Sequence, residues 1–362
     1  MARPAAPDGT QAPFGQKAEA WRDLLGARQP ARPATAALVS VHAEEAALAE
    51  LLVGLGRTPR ELPSKYFYDD RGSALFEQIM QLPEYYPTRT EHALLRAKAK
   101  EIALACGGQR LSDVVELGSG AASKTVALLE AALHFGAQPR YVAVDISSHA
   151  LGRTRELLAQ AAPGIAVHEL LADYTRELPL PPRVAGAQRL VLFLGGTIGN
   201  DEDEAAIELL SRVREHLDPG DAFLLGANLV CEPSVIHAAY NDAHGVTAQF
   251  NFNILAAVNQ LAQSSFDPAD FDHHAPYVVE HKRIEMWLVA KRAIEIGLGR
   301  LGGTLRLDRG EGIRTEISRR FNRVDILRLL DAAGFSPEQW FESPDGRFGL
   351  GLGKARAGLR SL

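Results

Sequence analysis

The stretch VVELGSGAASK, residues 114–124, decides the fold of this chain. An apolar run that is typical of a buried strand ends at Gly118 and Gly120, and a helix-forming segment follows at about residue 123. A strand, a tight glycine turn and a helix N-terminus in this order let a nucleotide-like ligand approach the backbone closely. The stretch therefore predicts a nucleotide-type binding turn.

Two acids near this turn narrow the choice of ligand. A second apolar strand ends in Asp145, and an acid at that position can accept hydrogen bonds from a ribose diol. Ser123 stands where a dinucleotide turn has its third glycine, and Glu116 precedes the turn inside the strand. Glu116 would repel a pyrophosphate but not a cationic sulfonium. The residues favour S-adenosylmethionine, although an ordinary strand-to-helix turn is the simpler alternative.

Composition permits a sizeable enzyme and excludes several other classes. The chain has 362 residues, 46% of them hydrophobic, and a formal net charge of −6, which gives no signature of nucleic-acid binding. Two cysteines, Cys106 and Cys231, are too few for a disulfide framework or a thiolate zinc site. No apolar run reaches the roughly 18 residues of a membrane span. We expect a cytoplasmic monomer with no nucleic-acid partner and no membrane partner.

The first 36 residues have a different composition from the rest. They hold ten alanines and five prolines without sustained periodicity, and they lack the apolar core of a secretory signal. Residues 1–36 therefore predict a disordered tail.

Apolar strands and helical runs alternate through the middle of the chain, which indicates a parallel sheet with helices on both faces. We expect strands at 113–117, 141–145, 165–171, 189–194 and 222–230, and helices at 44–54, 90–105, 123–134, 148–161, 203–217 and 323–333. After residue 230 the alternation stops, and we expect helices at 234–243 and 254–261 with strands at 283–292, 295–308 and 313–321. Pro83 and Pro87 predict two short helices between 65 and 95, separated by an aromatic loop.

The last predicted element is a hairpin between residues 339 and 352, which turns on Pro344 to Gly346. An antiparallel hairpin at the end of a parallel sheet is the class I methyltransferase layout. The predicted fold is therefore α/β, a doubly wound sheet with a smaller α+β substrate domain. We expect the substrate domain at 37–89 and 231–320, and the S-adenosylmethionine domain at 90–230 and 321–362.

Two loops at predicted strand ends carry candidate ligand contacts, because ligands bind beyond the carboxyl ends of parallel strands. In FLGGTIGN, residues 193–200, Asn200 either faces the cleft or caps the next helix. In the loop after the third strand, Asp173 can accept from an adenine amino group and Tyr174 provides an apolar wall. The alternative for Asp173 is a solvated loop acid.

Aromatic and polar residues outside the sheet are candidates for substrate contacts. Tyr85 lies in an aromatic loop, where a ring offers a flat wall and a hydroxyl, although packing is the simpler role. Glu316 and Ser318 lie two residues apart on one strand, so their side chains share a face and could both bind an imidazole. The alternative for Glu316 is a salt bridge on an edge strand with Arg314 or Arg320.

Two other kinds of chemistry have little support. Residues 266–274, FDPADFDHH, hold three aspartates and two histidines, but adjacent histidines on an extended segment point opposite ways. We therefore expect no metal. Ser-His-Asp catalysis is also not indicated, since the GxSxG motif is missing from the sequence.

Taken together, these segments resemble the S-adenosylmethionine-dependent histidine Nα-methyltransferases of ergothioneine biosynthesis. The resemblance covers about residues 62–354 and rests on the motifs KYFYDDRGS, LPEYYPTRTE, VELGSGAASKT, FLGGTIGN, YNDAHGVTAQFN, RIEMWL and RTEIS in this order. It implies three methyl transfers to the α-amine of L-histidine. One departure is Gly196, where the family more often has serine.

The resemblance also implies roles for individual residues. Those at cofactor-binding positions are Gly118, Lys124, Asp145, Asp173 and Tyr174, and those at histidine-binding positions are Tyr85, Asn200, Tyr240, Glu316, Ile317 and Ser318. Tyr68 and Asn200 fall nearest the reacting amine. Three alternatives remain: N-methylation of another aromatic amino acid such as a tryptophan derivative, a non-catalytic S-adenosylmethionine-binding module, and nucleic-acid methylation.

Overall fold

The computed structural model describes residues 41–357, so the tail predicted at 1–36 lies outside the described residues. The helices are α1 Val41–Leu55, α2 Asp70–Gln81, α3 Tyr86–Ala105, α4 Val126–His134, α5 Ser148–Ala161, α6 Asp203–Glu215, α7 Pro233–Tyr240, α8 Val246–Ala262 and α9 Arg323–Ala332. Short 3-10 helices cover Ser64–Phe67, Gly108–Arg110, Thr197–Asn200, Pro268–Asp270, Val279–His281 and Gly299–Leu301. None of the helices in this part of the chain is long and apolar enough to cross a membrane.

Fourteen strands build three sheets within residues 41–357. They are β1 Arg60–Glu61, β2 Leu111–Leu117, β3 Arg140–Asp145, β4 Ala166–Leu171, β5 Gln188–Phe193, β6 Ala222–Asn228, β7 Phe271–His274, β8 Tyr277–Val278, β9 Arg283–Ala290, β10 Ile294–Gly297, β11 Thr304–Leu307, β12 Gly312–Arg319, β13 Phe335–Glu342 and β14 Phe348–Ala355.

The large sheet has seven strands in the order β13-β14-β6-β5-β2-β3-β4. Strands β2 to β6 pair in parallel, whereas β14 is antiparallel to both β6 and β13. Buried apolar side chains cover both faces of this sheet. The predicted doubly wound sheet with an antiparallel C-terminal hairpin is confirmed.

The smaller sheet has the order β1-β12-β9-β7, with β8 paired to β9, and β10 and β11 form a separate hairpin. Its own core includes the stacked rings of Phe67 and Phe250, whose centroids are 4.4 Å apart. Along α3, Tyr86 belongs to this core and Leu94 to the core of the large sheet. We propose the predicted domain organisation, 37–89 with 231–320 and 90–230 with 321–362, because the two cores separate near these positions.

Three predicted elements differ from the structure by more than a few residues or in type. Helix α3 begins at Tyr86 and not at residue 90, because Pro87 occupies the first turn, where its missing N–H is not needed. Helix α8 begins eight residues before the predicted start, and two buried asparagines on it, Asn251 and Asn253, donate hydrogen bonds to distant residues. The strand predicted at 295–308 is the β10–β11 hairpin, since Gly302 and Gly303 adopt positive φ angles and turn the chain.

Candidate functional site

A cavity of about 500 Å³ lies where the carboxyl ends of the parallel strands meet the smaller domain. One wall comes from the loops that follow β2, β3, β4 and β5, and it includes the turn at 118–124. The opposite wall comes from the smaller domain and includes Tyr68, Tyr85, Tyr240 and Glu316. The cavity is large enough for a small-molecule site and has polar groups on both walls.

The glycine turn after β2 is fixed by Asp145. Gly118 and Gly120 have φ angles of 64° and 52°, in the left-handed region that favours glycine. The Asp145 carboxylate accepts from the backbone N–H of Gly120 at 3.0 Å and from that of Ser147 at 2.9 Å. Burial raises the pKa of Asp145, and these two hydrogen bonds oppose that rise. Asp145 therefore orders the turn and also lines the cavity.

Glu116 does not face the cavity, so the prediction that it lies beside the ligand's charge is wrong. Its side chain is buried and accepts from Thr125 Oγ1 and Tyr141 Oη, each at 2.5 Å. Burial raises the pKa of Glu116 to about 7. The residue holds β2, β3 and the start of α4 together.

Lys124 lines the cavity and pairs with a carboxylate that the sequence did not single out. Its Nζ lies 2.7 Å from Glu91 Oε2, and Glu91 Oε1 accepts from the backbone N–H of Gly195 at 2.6 Å. Glu91 is 1% exposed. It therefore links α3 to two loops of the cavity wall, and it positions Lys124.

Asp173 and Tyr174 follow β4 and line the same wall. Asp173 Oδ1 accepts from Thr175, while Oδ2 lies 3.0 Å from Lys65 Nζ, which belongs to the smaller domain. The pKa of Asp173 is lowered: burial alone would raise it, but the hydrogen bonds from Thr175 and the charge of Lys65 outweigh burial. The Tyr174 ring packs edge-on against Phe193 beside the glycine turn.

This wall fits S-adenosylmethionine. Asp145 and Asp173 offer carboxylate acceptors, the left-handed glycines leave the turn without side chains, and Tyr174 adds an apolar ring. Ser119, between the two glycines, is 3% exposed, and its hydroxyl has no hydrogen-bond partner within residues 41–357. A polar ligand would supply that missing partner.

The FLGGTIGN loop brings Asn200 to the cavity. Gly195 and Gly196 have φ angles of 79° and 69°, and the 3-10 helix Thr197–Asn200 follows them. Asn200 lines the cavity, and the N-cap residue of α6 is Glu202. The alternative role of Asn200 as a helix cap is therefore wrong.

Glu316 is a half-buried carboxyl group in the cavity wall without a partner. Within residues 41–357, Arg314 pairs with Glu61 and Glu285, and Arg319 pairs with Asp203, but no cation or donor reaches Glu316. Strand β12 lies between β1 and β9, so it is not an edge strand. The salt-bridge alternative is therefore wrong. Burial raises the pKa of Glu316 to about 8, although the charge of Arg320 opposes the rise.

Ser318 is part of a buried hydrogen-bonded group beside Glu316. Its Oγ lies 2.7 Å from Tyr240 Oη and accepts from Arg320 Nη1 at 3.0 Å. Arg320 is 2% exposed, and among the described residues no carboxylate forms an ion pair with it. Arg320 can only donate, so it fixes the positions of both hydroxyl groups.

Three further predicted residues have different surroundings. Tyr68 lines the cavity, and burial together with the charge of Glu316 raises its pKa well above 10. Tyr85 lines the cavity and packs edge-on against Tyr240 at 6.3 Å. Ile317 is 7% exposed and belongs to the opposite face of β12, so its side chain does not line the cavity.

The structure also adds residues that the sequence did not reveal. Four further residues line the cavity: Lys65, Glu91, Asn228 and Met286. Three of them, Lys65, Glu91 and Met286, lie within motifs of the resemblance, but no local pattern assigns them to the cavity, because each reaches it through packing between distant elements. Within residues 41–357 no group of three or more His, Cys, Asp or Glu side chains could hold a metal ion.

The sheet order, the glycine turn tied to Asp145 and the cavity at the strand ends define a class I S-adenosylmethionine-dependent methyltransferase. A family model described as histidine-specific, S-adenosylmethionine-dependent methyltransferase matches residues 47–355. The chain belongs to this family.

Named relatives cover most of the chain. It is 40% identical over 299 residues to histidine N-alpha-methyltransferase of Mycobacterium tuberculosis, spanning 83% of this chain and 92% of that protein. It is 39% identical to the protein of the same name in Mycolicibacterium smegmatis, over 87% of this chain and 97% of that one. Ergothioneine biosynthesis protein 1 of Neurospora crassa is 34% identical over 76% of this chain and 31% of the fungal protein.

Proposed function

We propose that this protein transfers three methyl groups in turn from S-adenosylmethionine to the α-amine of L-histidine. The product is Nα,Nα,Nα-trimethylhistidine, hercynine, a step of ergothioneine biosynthesis. The observation that carries the proposal is Glu316, a carboxyl group in the cavity wall that lacks a donor in the described part of the chain. The relatives named for histidine methylation support the same substrate.

The wall on the large sheet holds the cofactor in this proposal. Asp145 accepts from the ribose hydroxyls, Asp173 from the adenine amino group, and Gly118 admits the ligand to the backbone, with Lys124 and Tyr174 beside them. When bound, S-adenosylmethionine supplies an electrophilic methyl group. Glu91 keeps Lys124 in place through the 2.7 Å ion pair.

The opposite wall holds histidine. Asn200 and Tyr240 bind its amino-acid group, Tyr85 packs against it, and Glu316 and Ser318 bind the imidazole. The Ile317 side chain lies outside the cavity, so any contact that it makes is through its backbone. A single chain supplies both walls of the cavity, so this site needs no residue from a second subunit.

The chain's own contribution to the reaction is to hold the two reactants in position within one cavity. Holding the amine in line with the methyl group can supply up to about 7–11 kcal/mol of the barrier, and no covalent nucleophile is needed. Tyr68 stays a neutral phenol at neutral pH, because its pKa lies well above 10. It can therefore orient the amine but is a poor proton acceptor. We propose that the proton of the amine passes instead to a water molecule connected to bulk solvent.

The nearest rival function is the same methylation on a tryptophan derivative. An indole has one N–H donor and no acceptor nitrogen, so it cannot satisfy both Glu316 and Ser318. A buried polar group left unpaired costs about 1–3 kcal/mol. The pair therefore favours histidine.

Substitution of Glu316 tests whether the cavity recognises an imidazole. We expect Glu316→Ala to lower kcat/KM for histidine by the equivalent of about 2–4 kcal/mol, because it removes the carboxyl group that binds the imidazole. Ser318→Ala should act in the same direction by about 0.5–1.5 kcal/mol, since its hydroxyl is neutral. Steady-state kinetics with histidine and tryptophan measure both effects. The kcat/KM for tryptophan should not fall in either variant.

The matched control is Glu285→Ala on the neighbouring strand. Glu285 pairs with Arg283 and Arg314, and it is not part of the cavity wall. This variant should lower the melting temperature and keep the histidine-to-tryptophan ratio. An unaltered ratio in Glu316→Ala as well would exclude the imidazole role.

A further inference from the structure

Asn228 is a buried residue of the cavity wall whose side-chain carbonyl oxygen has no hydrogen-bond partner within residues 41–357. It ends β6, lines the cavity and is 3% exposed. No atom within residues 41–357 forms a hydrogen bond with its Oδ1. Its backbone C=O accepts from Phe321 N–H at 2.9 Å, so the main chain at this position is fixed. A fixed buried amide with an unused hydrogen-bonding group indicates a bound ligand.

The local packing keeps space for this amide. A Cβ on Gly196 would lie 2.2 Å from Asn228 Nδ2, so the amide fills the space that any side chain at 196 would need. Gly196 and Asn228 both line the cavity. The Asn228 amide therefore packs directly against the Gly196 backbone in the cavity wall.

The position of Asn228 in the sheet determines which part of the substrate it can contact. Strand β6 is next to β5, whose carboxyl end leads into the loop with Asn200. Glu316 and Ser318 belong to the opposite wall, in the smaller domain. A histidine with its imidazole at Glu316 must place its α-amine towards the large sheet, where the cofactor wall and Asn228 lie.

We propose that Asn228 is a further substrate-binding residue, whose amide carbonyl accepts a hydrogen bond from an N–H of the reacting α-amine. This inference rests on the proposed function. An amide carbonyl takes the N–H and leaves the nitrogen lone pair free, so it orients the lone pair towards the methyl group. A neutral carbonyl also avoids stabilising the protonated, unreactive amine as strongly as a carboxylate would.

The proposal has a consequence that depends on the number of methyl groups. The neutral amine of histidine has two N–H bonds, that of Nα-methylhistidine has one, and that of Nα,Nα-dimethylhistidine has none. Asn228 can therefore assist the first and second transfers but not the third. A residue that only supports the fold would affect all three transfers alike.

The test compares Asn228→Leu, which keeps the branched shape of the side chain but removes its hydrogen-bonding atoms, with the unaltered enzyme on these three amines. We expect kcat/KM to fall about tenfold or more for histidine and Nα-methylhistidine, and less than about twofold for the dimethyl substrate. Asn228→Ala should give the same pattern, because it also removes the amide carbonyl and leaves the loop that carries Asn200 unchanged. This second variant carries the test if Asn228→Leu does not fold.

The control is Ser119→Ala, which removes another buried unpartnered group but lies in the cofactor turn. Its loss should be the same for all three amines. An equal loss on the three amines in Asn228→Leu and Asn228→Ala would overturn the proposal for Asn228. A lack of histidine methylation by the unaltered enzyme would instead overturn the proposed function.

Discussion

Asp145 has two tasks at once, since it closes the glycine turn and faces the cavity. Its hydrogen bonds to the backbone N–H groups of Gly120 and Ser147 use part of the carboxylate, and the remaining lone pairs are available to a ribose. We expect Asp145→Ala to weaken S-adenosylmethionine binding by about 1.5–3 kcal/mol, the scale of hydrogen bonds to a charged group. Calorimetric titration measures the affinities for the cofactor and for histidine, and the affinity for histidine should change far less.

Asp145→Asn is the graded control for that measurement. The amide keeps one acceptor oxygen for the turn but loses the charge, so its effect should lie between those of the unaltered protein and Asp145→Ala. Cofactor affinity that stays unchanged in a folded Asp145→Ala variant would remove Asp145 from the ribose role.

Glu316 should also make stability depend on pH. Its pKa is about 8 in the folded protein against an ordinary value of 4.5, so the folded chain binds this proton more tightly than the unfolded chain. The resulting stabilisation is fully present below pH 4.5 and is lost as pH rises through 8. Without ligand, the melting temperature of Glu316→Gln relative to the unaltered protein should therefore rise between pH 5 and 8 and then level off. A difference that stays constant over this range would contradict the assigned pKa.

At the scale of elements, the Lys65 cluster joins the two domains over the cavity. It consists of Glu50 in α1, Lys65 in the following 3-10 helix, and Asp173 and Arg176 after β4, with Lys65 Nζ 2.7 Å from Glu50 and 3.0 Å from Asp173. We expect Lys65→Met to weaken cofactor binding about two- to tenfold, since the pairs are partly exposed. The loss should shrink as salt is raised, because salt screens such pairs.

A matched control for the Lys65 cluster is Lys98→Met, which breaks a comparable 2.8 Å pair with Glu101 away from the cavity. Calorimetric titration of both variants at low and high salt separates the two roles. The same loss in both variants, or none in Lys65→Met, would contradict the role of the cluster in holding Asp173.

Local pattern predicted the elements of the large sheet well, because buried parallel strands are continuous apolar runs. The start of α8 was missed for a physical reason: Asn251 and Asn253 make it look polar, but Asn251 Nδ2 donates to Trp287 C=O and Asn253 Nδ2 to Asp69. The buried position of the Glu116 side chain could not be predicted either, because it depends on hydrogen bonds from Thr125 and Tyr141. Hydrogen bonds between distant elements have no local sequence signal.

At the scale of the whole molecule, the site exists because two cores meet at the strand ends. The glycine turn and Asp145 could be predicted as a ligand site from a motif. On the other wall, the spacing of Glu316 and Ser318 left a salt bridge as an alternative, and only the resemblance implied their role in binding histidine. Asn228 and Glu91 could not be predicted, because their roles depend on where β6 and α3 pack. The cavity places a cofactor wall opposite a wall that carries Glu316 and Ser318.

The most direct test of the central claim is to incubate the purified protein with excess S-adenosylmethionine and each of the twenty amino acids, and to weigh the products by mass spectrometry. We predict that histidine gains three methyl groups, that Nα-methyl- and Nα,Nα-dimethylhistidine are converted to the same product, and that tryptophan and phenylalanine stay unmodified. Accumulation of monomethylhistidine alone, or methylation of tryptophan without histidine, would contradict the account.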